Sequence, residues 1–467
     1  MKLAIELIWG SDSISECPML ISFAVENYLS MRDRQEFSME RVHKYSADKS
    51  PVSSPWKRAS VSTVAAIYGS NAAGKSTFIS ALAFLGDAVR NSYRRWEPDE
   101  GVPVMPFSLD SGSAEQPTNL DIEFIAEDGV EYQYSVGLSA SRVTHEHLYS
   151  YRTNRRTILF NREAGSAGDD EWYFGPSFRG PATQIRDTTR DNALFLSAAA
   201  AADNAVTRPA YRWLTTALRV YNARHYEHEH SQLIRRLNEG DQRFRDMLTN
   251  FLRHADLGVQ AVSVVREELD SDRRSELERL IRTVDPDEVA SYEEAIKQSE
   301  FALSLSHRGE HGEVALPFEL ESDGTQALLS FASIALKALD SGAVCVVDEI
   351  DTSLHPLLVA ELVNVFSNPR VNDRQAQLIF TTHDVSLIGR GGGAAKTLER
   401  DQVWVVEKGR DGASSITGIS EYRSPRKEEN LERGYMTGRF GGLPSVSIVQ
   451  ELLRARTSSN NFDDEDQ

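Results

Sequence analysis

Cysteine is nearly missing from this 467-residue chain, which has only Cys17 and Cys345. Two thiols cannot build a disulfide framework, so a packed core must hold the fold, and a reducing, cytoplasmic setting is the expectation. Long apolar runs are missing as well. No stretch reaches the roughly 18 residues a membrane-crossing helix needs, so no membrane partner is expected. The opening MKLAIELIWGSDSISECP is too short in its apolar part, and too interrupted by Glu6, to read as a secretory signal. Basic charge is in deficit: 51 Lys and Arg face 70 Asp and Glu, a formal net charge of −19. That balance argues against a protein that coats nucleic acid by general electrostatics, but leaves room for a local basic strip. Hydrophobic residues at 40% exclude global disorder.

What is present is an alternation of strand and helix signals. Residues 1–18 stand apart as an extension, because MLISFAVENYLS from Met19 begins like a first strand. Between 19 and 207, Val61–Tyr68 is an almost unbroken apolar run of the kind a buried parallel strand shows. A helix pattern follows it, and Asp121–Phe124 and Tyr132–Leu138 read as an antiparallel meander turning at Gly129. Residues 208–300 change to helical spacing among dense Arg and Glu and read as a helical insertion. From 301 to 445 apolar strands return with helices between them, and 446–467 reads as a helix with an acidic tail. This is an α/β pattern with both faces of a sheet covered.

The chemistry begins at Gly69-Ser70-Asn71-Ala72-Ala73-Gly74-Lys75-Ser76, which fits G-x-x-x-x-G-K-[ST] between a predicted strand and a predicted helix. Glycines let the backbone curl so that successive N–H groups face phosphate oxygens, and the helix N-terminus adds partial positive charge. Lys75 is expected at the β- and γ-phosphates, the Ser76 hydroxyl on Mg²⁺, and Thr77 near the α-phosphate. Asp348-Glu349 ends the apolar strand AVCVV, at the sheet edge where ligands bind. Asp348 is the expected second Mg²⁺ residue and Glu349 the general base for the attacking water. A strand-end Asp-Glu is common on its own, and it gains meaning from the phosphate loop. Three further segments narrow the class. Ser322-Asp323-Gly324 stands at a helix start, where a hydroxyl and bare amides suit an anion. Asp351–Pro356 follows the acidic pair. Thr381-Thr382-His383-Asp384 ends the next strand, where a histidine can bond a γ-phosphate. Read singly, the first is a turn with a cap and the last a strand-end histidine.

In this order the segments resemble an ABC-type ATPase head: phosphate loop, signature, Asp-Glu strand, dimer-contacting loop and switch histidine. Together with RDNALFLS, QLIFTTHD, RDQVWVVEK and YMTGRFGGLP, they resemble the RloA/AbiL-like AAA_15/AAA_21 ATPases, related to SMC and OLD proteins and found in bacterial anti-phage loci. The resemblance implies a P-loop head with a mixed sheet, an antiparallel β subdomain and a helical insertion. It implies ATP and Mg²⁺ as ligands and a head-to-tail dimer or higher oligomer in which Ser322 and Gly324 clamp the nucleotide of the opposite protomer. It also implies a separately encoded effector, such as a TOPRIM or RloB-like nuclease or a toxin, and a nucleic-acid or phage trigger. Asp323 stands where transporters have glycine, which points to slow turnover, and Gln116 is the candidate for the Q-loop glutamine. The rival readings are an SMC-like DNA-maintenance ATPase and a scaffold that ATP cements without hydrolysis.

Other signals are weaker. His225, His228 and His230 could ligate a metal but have no cysteine beside them, and His145-Glu146-His147 lacks the spacing of a zinc protease. Arg152, Arg155, Arg156, Arg179, Arg186 and Arg190 form a locally basic stretch, read either as a binding strip or as solvated arginines paired with acids.

Overall fold

The computed structural model describes residues 17–443 apart from 43–51, 54–59, 154, 166–168, 222–225, 256–257, 267–300, 353, 390–397 and 423–429. Strands β1 (Met19–Glu26) and β2 (Gln35–Ser38) come first, then the short pair β3 (Val52–Ser53) and β4 (Ser60–Val61). Strand β5 (Val64–Tyr68) leads through the glycine loop into the helix Lys75–Arg95. A run of five strands follows: β6 (Thr118–Ile125), β7 (Glu131–Leu138), β8 (Val143–Thr153), β9 (Arg155–Ala164) and β10 (Asp170–Phe174). Next come β11 (Leu218–Tyr221), the helices Tyr226–Asn238 and Gln242–His254, and strands β12 (Val259–Arg266), β13 (Phe301–Gly309) and β14 (Gly312–Pro317). The last part alternates the helix Asp323–Ser341, β15 (Val344–Val347), the helix Pro356–Ser367 and β16 (Gln377–Thr381), and ends with β17 (Val403–Lys408) and β18 (Ser414–Gly418).

Two large sheets form from these strands. One runs β10-β9-β8-β7-β6-β1-β2 and is antiparallel throughout. The other runs β11-β15-β16-β5-β17-β18, parallel except for β18. Strands β5, β15 and β16 are buried at every position, because layers pack on both faces of this sheet. The two-residue side-chain period of β5 divides the core. Ala65 and Ile67 face the cluster shared with the antiparallel sheet, and Val64, Ala66 and Tyr68 face the cluster under the helix Asp323–Ser341. The sheets are joined by Gln377, fully buried, whose Oε1 accepts from Leu20 N at 2.6 Å while Nε2 donates to Leu20 O and Ser62 O.

The meander expected around Gly129 is present, with β6 and β7 antiparallel and Gly129 at φ +71° in the turn. The stretch 208–300 differs from the helical insertion read in the sequence. Leu218–Tyr221 joins the parallel sheet beside β15, and Val259–Arg266 pairs with β13. The helices occupy Tyr226–Asn238 and Gln242–His254 between them. The chain supplies strands here because LRVY and VQAVSVVR are rich in β-branched and alternating apolar residues, a signal masked by the surrounding Arg and Glu. Residues 267–300, the N-terminal extension up to residue 16 and the expected tail 446–467 lie outside the described residues. No helix among the described residues is long and apolar enough to cross a membrane.

Candidate nucleotide site

The parallel order of β15, β16, β5 and β17 brings the carboxyl ends of four strands to one edge, where the phosphate loop stands. Two glycines are dictated by close approach. Gly69 has φ +156°, and a Cβ there would lie 2.5 Å from the Val406 carbonyl oxygen. Gly74 has φ +112°, and a Cβ there would run into the Ser414 side chain. The helix Lys75–Arg95 carries no acidic residue in its first turn, so its N-terminal partial charge is left for an anion.

Lys75 is buried, and its ammonium donates to the carbonyls of Gly69 (2.9 Å) and Ser70 (3.2 Å) and lies 3.1 Å from His383 Nε2. An ammonium can only donate, so Nε2 is the acceptor in this contact. Burial holds the lysine below its ordinary pKa, and the carboxylates of Glu349, Asp348 and Asp351 oppose that shift. The residues predicted from widely separated motifs therefore converge on one amine.

The acidic pair is held by Thr381, a member of the strand-end segment to which sequence alone assigns no role of its own. Thr381 ends β16 fully buried, and its hydroxyl donates to Asp348 Oδ1 at 2.6 Å and accepts from the Glu349 amide at 2.6 Å. Glu349 sits at φ +55°, a left-handed conformation that costs a non-glycine residue about 1–3 kcal/mol unless its surroundings hold it. The Thr381 bond to its N–H is such a hold. Asp351 accepts from the His383 amide at 3.0 Å and so ties the loop after the acidic pair to the histidine strand.

The loop opens into a cleft of about 480 Å³, lined by Asn71–Thr77 and Glu349 and walled by Ser30, Phe107, Leu109 and Lys408. None of these wall residues was marked by its motif. Ser30 comes closest to being legible, since it ends the framing segment MLISFAVENYLS. Its hydroxyl accepts from Ser414 at 2.8 Å and bonds Thr77 at 3.2 Å, so Thr77 is fixed by a serine chain from two distant segments, the turn after β1 and the start of β18. Gln116 does not reach the cleft. It is exposed, and its carbonyl accepts from Asn27 Nδ2 at 2.8 Å. Ser322 and Gly324 do not line the cleft either. Ser322 caps the helix Asp323–Ser341, its Oγ accepting from Thr325 N at 3.2 Å, and remains exposed at that end.

The donor set fits Mg²⁺. The Ser76 hydroxyl faces the cleft, and Asp348, engaged by Thr381 through Oδ1, keeps its second oxygen for a hard cation. The other sequence candidates have structural partners. Glu146 is buried and accepts from Tyr134 Oη, Phe195 N and Leu196 N, capping the helix Phe195–Ala201. Among the described residues no group of three or more His, Cys, Asp or Glu could hold a metal. His225 lies outside the described residues, and His230 bonds Ser330 at 2.6 Å. Arg190 does not join a basic strip, because its guanidinium donates to the carbonyls of Ser92, Tyr93 and Trp96.

A phosphate loop, an acidic strand end and a histidine strand end on one parallel edge, with an antiparallel subdomain alongside, define an α/β P-loop fold, as the sequence led one to expect. Residues 64–389 match the family model described as "AAA domain, putative AbiEii toxin, Type IV TA system" (AAA_21), and the chain belongs to this family. No curated protein matches it significantly. Among solved structures it is similar to the SMC head domain from Thermotoga maritima, with 14% identity over 85% of this chain and 98% of that one and a TM-score of 0.37. It is also similar to the Pyrococcus furiosus Smc head with an extended coiled coil bound to the C-terminal domain of ScpA (14%, 90% and 99%, TM-score 0.39). A third likeness is to the recombination mediator protein RecF (12%, 86% and 99%, TM-score 0.33).

Proposed function

We propose that this chain binds and hydrolyses ATP at the composite site of a head-to-tail dimer, and that this cycle controls a separately encoded effector, a nuclease or toxin, in anti-phage defence. The observation that supports the ATPase reading is that Lys75 and Glu349 line the cleft while His383 contacts the Lys75 ammonium and the charges of Asp348 and Glu349 act on it. In the proposed cycle the arriving γ-phosphate takes Lys75 from its contacts with the loop carbonyls and His383. His383, freed from the lysine, takes the tautomer with its hydrogen on Nε2 and donates it to the phosphate. Glu349, held rigidly through its backbone by Thr381, accepts the proton of the attacking water. Mg²⁺, held by Ser76 and Asp348, would supply neutralisation of the β- and γ-phosphate charge. Ser322 and Gly324 act on the partner's nucleotide, in keeping with their place outside their own cleft. The exposed Asp323 carboxylate beside them repels phosphate and slows the closed state.

The effector and defence parts of the reading are supported only by the sequence resemblance and by the family description. The decisive biochemical comparison is Glu349→Gln against Lys75→Ala. The first is expected to bind ATP, to stop hydrolysing it and to accumulate as a dimer. The second is expected to lose nucleotide altogether. Hydrolysis by Glu349→Gln at the parental rate would remove Glu349 from its role. Pull-down of a nuclease or toxin by the trapped dimer, but not by salt-sensitive DNA retention, separates effector control from DNA maintenance.

A further inference from the structure

The segment Tyr435–Leu443 supplies no residue to the cleft, yet it packs against the root of the phosphate loop. It begins in the short helix Leu431–Met436 and folds back through turn bonds from Gly438 N to Tyr435 O and from Gly441 N to Gly438 O. Gly438, Gly441 and Gly442 hold left-handed backbone, at φ +76°, +72° and +72°. At Gly442 space is the tighter constraint. A Cβ there would lie 2.5 Å from Val405 Cγ1, 3.4 Å from the Val406 carbonyl oxygen and 3.5 Å from Gly69 Cα. That Val406 oxygen is the atom that excludes a side chain at Gly69. Two glycines, the first of the phosphate loop and Gly442, therefore close on one carbonyl of β17. Aromatic groups fix the arrangement. Tyr435, buried, donates its hydroxyl to Gly442 O at 3.2 Å. Its ring lies 5.6 Å, edge-on, from that of Tyr68, the residue just before Gly69. Phe440, fully buried, has its ring 5.4 Å from that of Tyr422, whose hydroxyl donates to Phe440 O at 3.2 Å.

We infer that Tyr435 and Gly442 are positioning residues for ATP binding: they clasp this segment to the phosphate loop and set the place of the Gly69 backbone, whose carbonyl holds Lys75 before nucleotide arrives. This rests on the ATP-site reading given above and extends it to residues that line no part of the cleft. The phosphate loop works by aiming successive N–H groups at phosphate oxygens, so a shift at its root misaims the whole set. Val405 is buried and β-branched, hence stiff at χ1. It cannot turn aside for a methyl group at Gly442, and the push passes to the backbones on either hand, Gly69 among them. The Tyr435 hydroxyl acts on the same contact from the other direction, by holding the Gly442 carbonyl in place.

The test uses the full chain, with ATP affinity read by calorimetric titration, hydrolysis by phosphate release and nucleotide-free stability by a thermal melt. Gly442→Ala is expected to weaken ATP binding about tenfold or more, while kcat at saturating ATP stays within about threefold of the parent. Tyr435→Phe, which deletes one hydroxyl and keeps the ring, is expected to weaken binding about threefold, and it decides the matter should Gly442→Ala fail to fold. Adding Val405→Ala to Gly442→Ala makes room for the methyl group and is expected to recover most of the affinity. Gly129→Ala strains a glycine of nearly the same φ in the β6–β7 turn and is expected to keep the parent's affinity whatever its melt shows. If Gly442→Ala and Tyr435→Phe bind ATP as the parent does, or Gly129→Ala loses as much affinity as Gly442→Ala, the clasp is overturned and the ATP-site reading survives. If the parent binds no ATP, or Lys75→Ala binds it equally well, the reading of the cleft falls and the clasp with it.

Discussion

The antiparallel sheet and the edge of the parallel sheet both bury charge, but they treat it in opposite ways. In the antiparallel sheet Arg162, fully buried, donates to Asp170 Oδ2 at 2.5 Å, to Ala193 O at 2.7 Å and to the carbonyls of Arg190 and Asp191, with its guanidinium 5.0 Å from the Trp172 ring centre. Glu146 lies opposite it across β8 and β9, with three donors of its own. Burial pushes the Glu146 carboxyl up, and the Arg162 charge opposes that. All three guanidinium nitrogens of Arg162 and both carboxylate oxygens of Glu146 are bonded. At the phosphate loop Lys75 borrows the loop's own carbonyls, Asp351 Oδ1 and Asp384 Oδ2 are buried without a bonding partner, and Glu349 holds a left-handed backbone. Saturated charges fasten the fold, whereas open ones wait for a ligand.

That contrast predicts a double dissociation. Lys75→Met should cost the largest factor in function, a loss of ATP affinity of about a hundredfold or more, with no fall in melting temperature, because a buried charge of incomplete pairing is replaced by an apolar side chain of similar length. Calorimetric titration with ATP and a thermal melt of the same sample check both halves. Arg162→Met should do the reverse. It leaves Glu146 buried without its neighbouring cation and Asp170 with Arg142 alone, and should lower stability by about 3–5 kcal/mol, read by urea denaturation, while any protein that remains folded binds ATP as before. If Arg162→Met melts like the parent, the sheet charges are not the fasteners claimed.

Much of this division was legible in the sequence. The loop Gly69–Ser76, Asp348-Glu349 and His383 each terminate an apolar run, and a run of buried strand residues tells where its end must lie. The rest was hidden for physical reasons. Thr381 is one of two adjacent threonines, both fully buried, and nothing local distinguishes the one that bonds the acidic pair from its neighbour. The cleft walls Ser30, Phe107, Leu109 and Lys408 come from segments that only the sheet order brings together. Glu146 lies between two histidines and invites a metal reading, yet its role as cap to a helix about fifty residues away depends on tertiary packing alone. Strand β11 is short, and the pattern of the longer β12 is drowned by flanking charges.

Thr381 sharpens the contrast, because it is a saturated group serving unsaturated ones. Thr381→Val keeps the shape and removes the hydroxyl, leaving the Glu349 amide without a partner and freeing Asp348. The expected result is a fall in kcat of about tenfold or more, at about 1–3 kcal/mol for one buried polar group left unpaired, with the affinity for ATP without Mg²⁺ little changed. Thr381→Ser restores the hydroxyl and should recover most of the rate. A mere packing role would give equal losses for valine and serine, or a larger one for serine, which lacks the methyl group.

The smallest effect tests the electrostatics of the open edge. Lys75 must be an ammonium to hold phosphate, and burial places its pKa below the ordinary 10.5. ATP affinity should therefore be full at neutral pH and decline as pH rises through that lowered value, by no more than tenfold per pH unit for one proton. Glu349 is the leading carboxylate opposing the shift, so neutralising it as Glu349→Gln removes support for the charged amine. The decline should then begin at a lower pH than in the parent, a displacement read in fluorescence titrations of the two proteins. Superimposable curves for the two proteins would mean that the Glu349 carboxylate does not act on Lys75, and the convergence at the cleft mouth would lose its electrostatic half while keeping its hydrogen bonds.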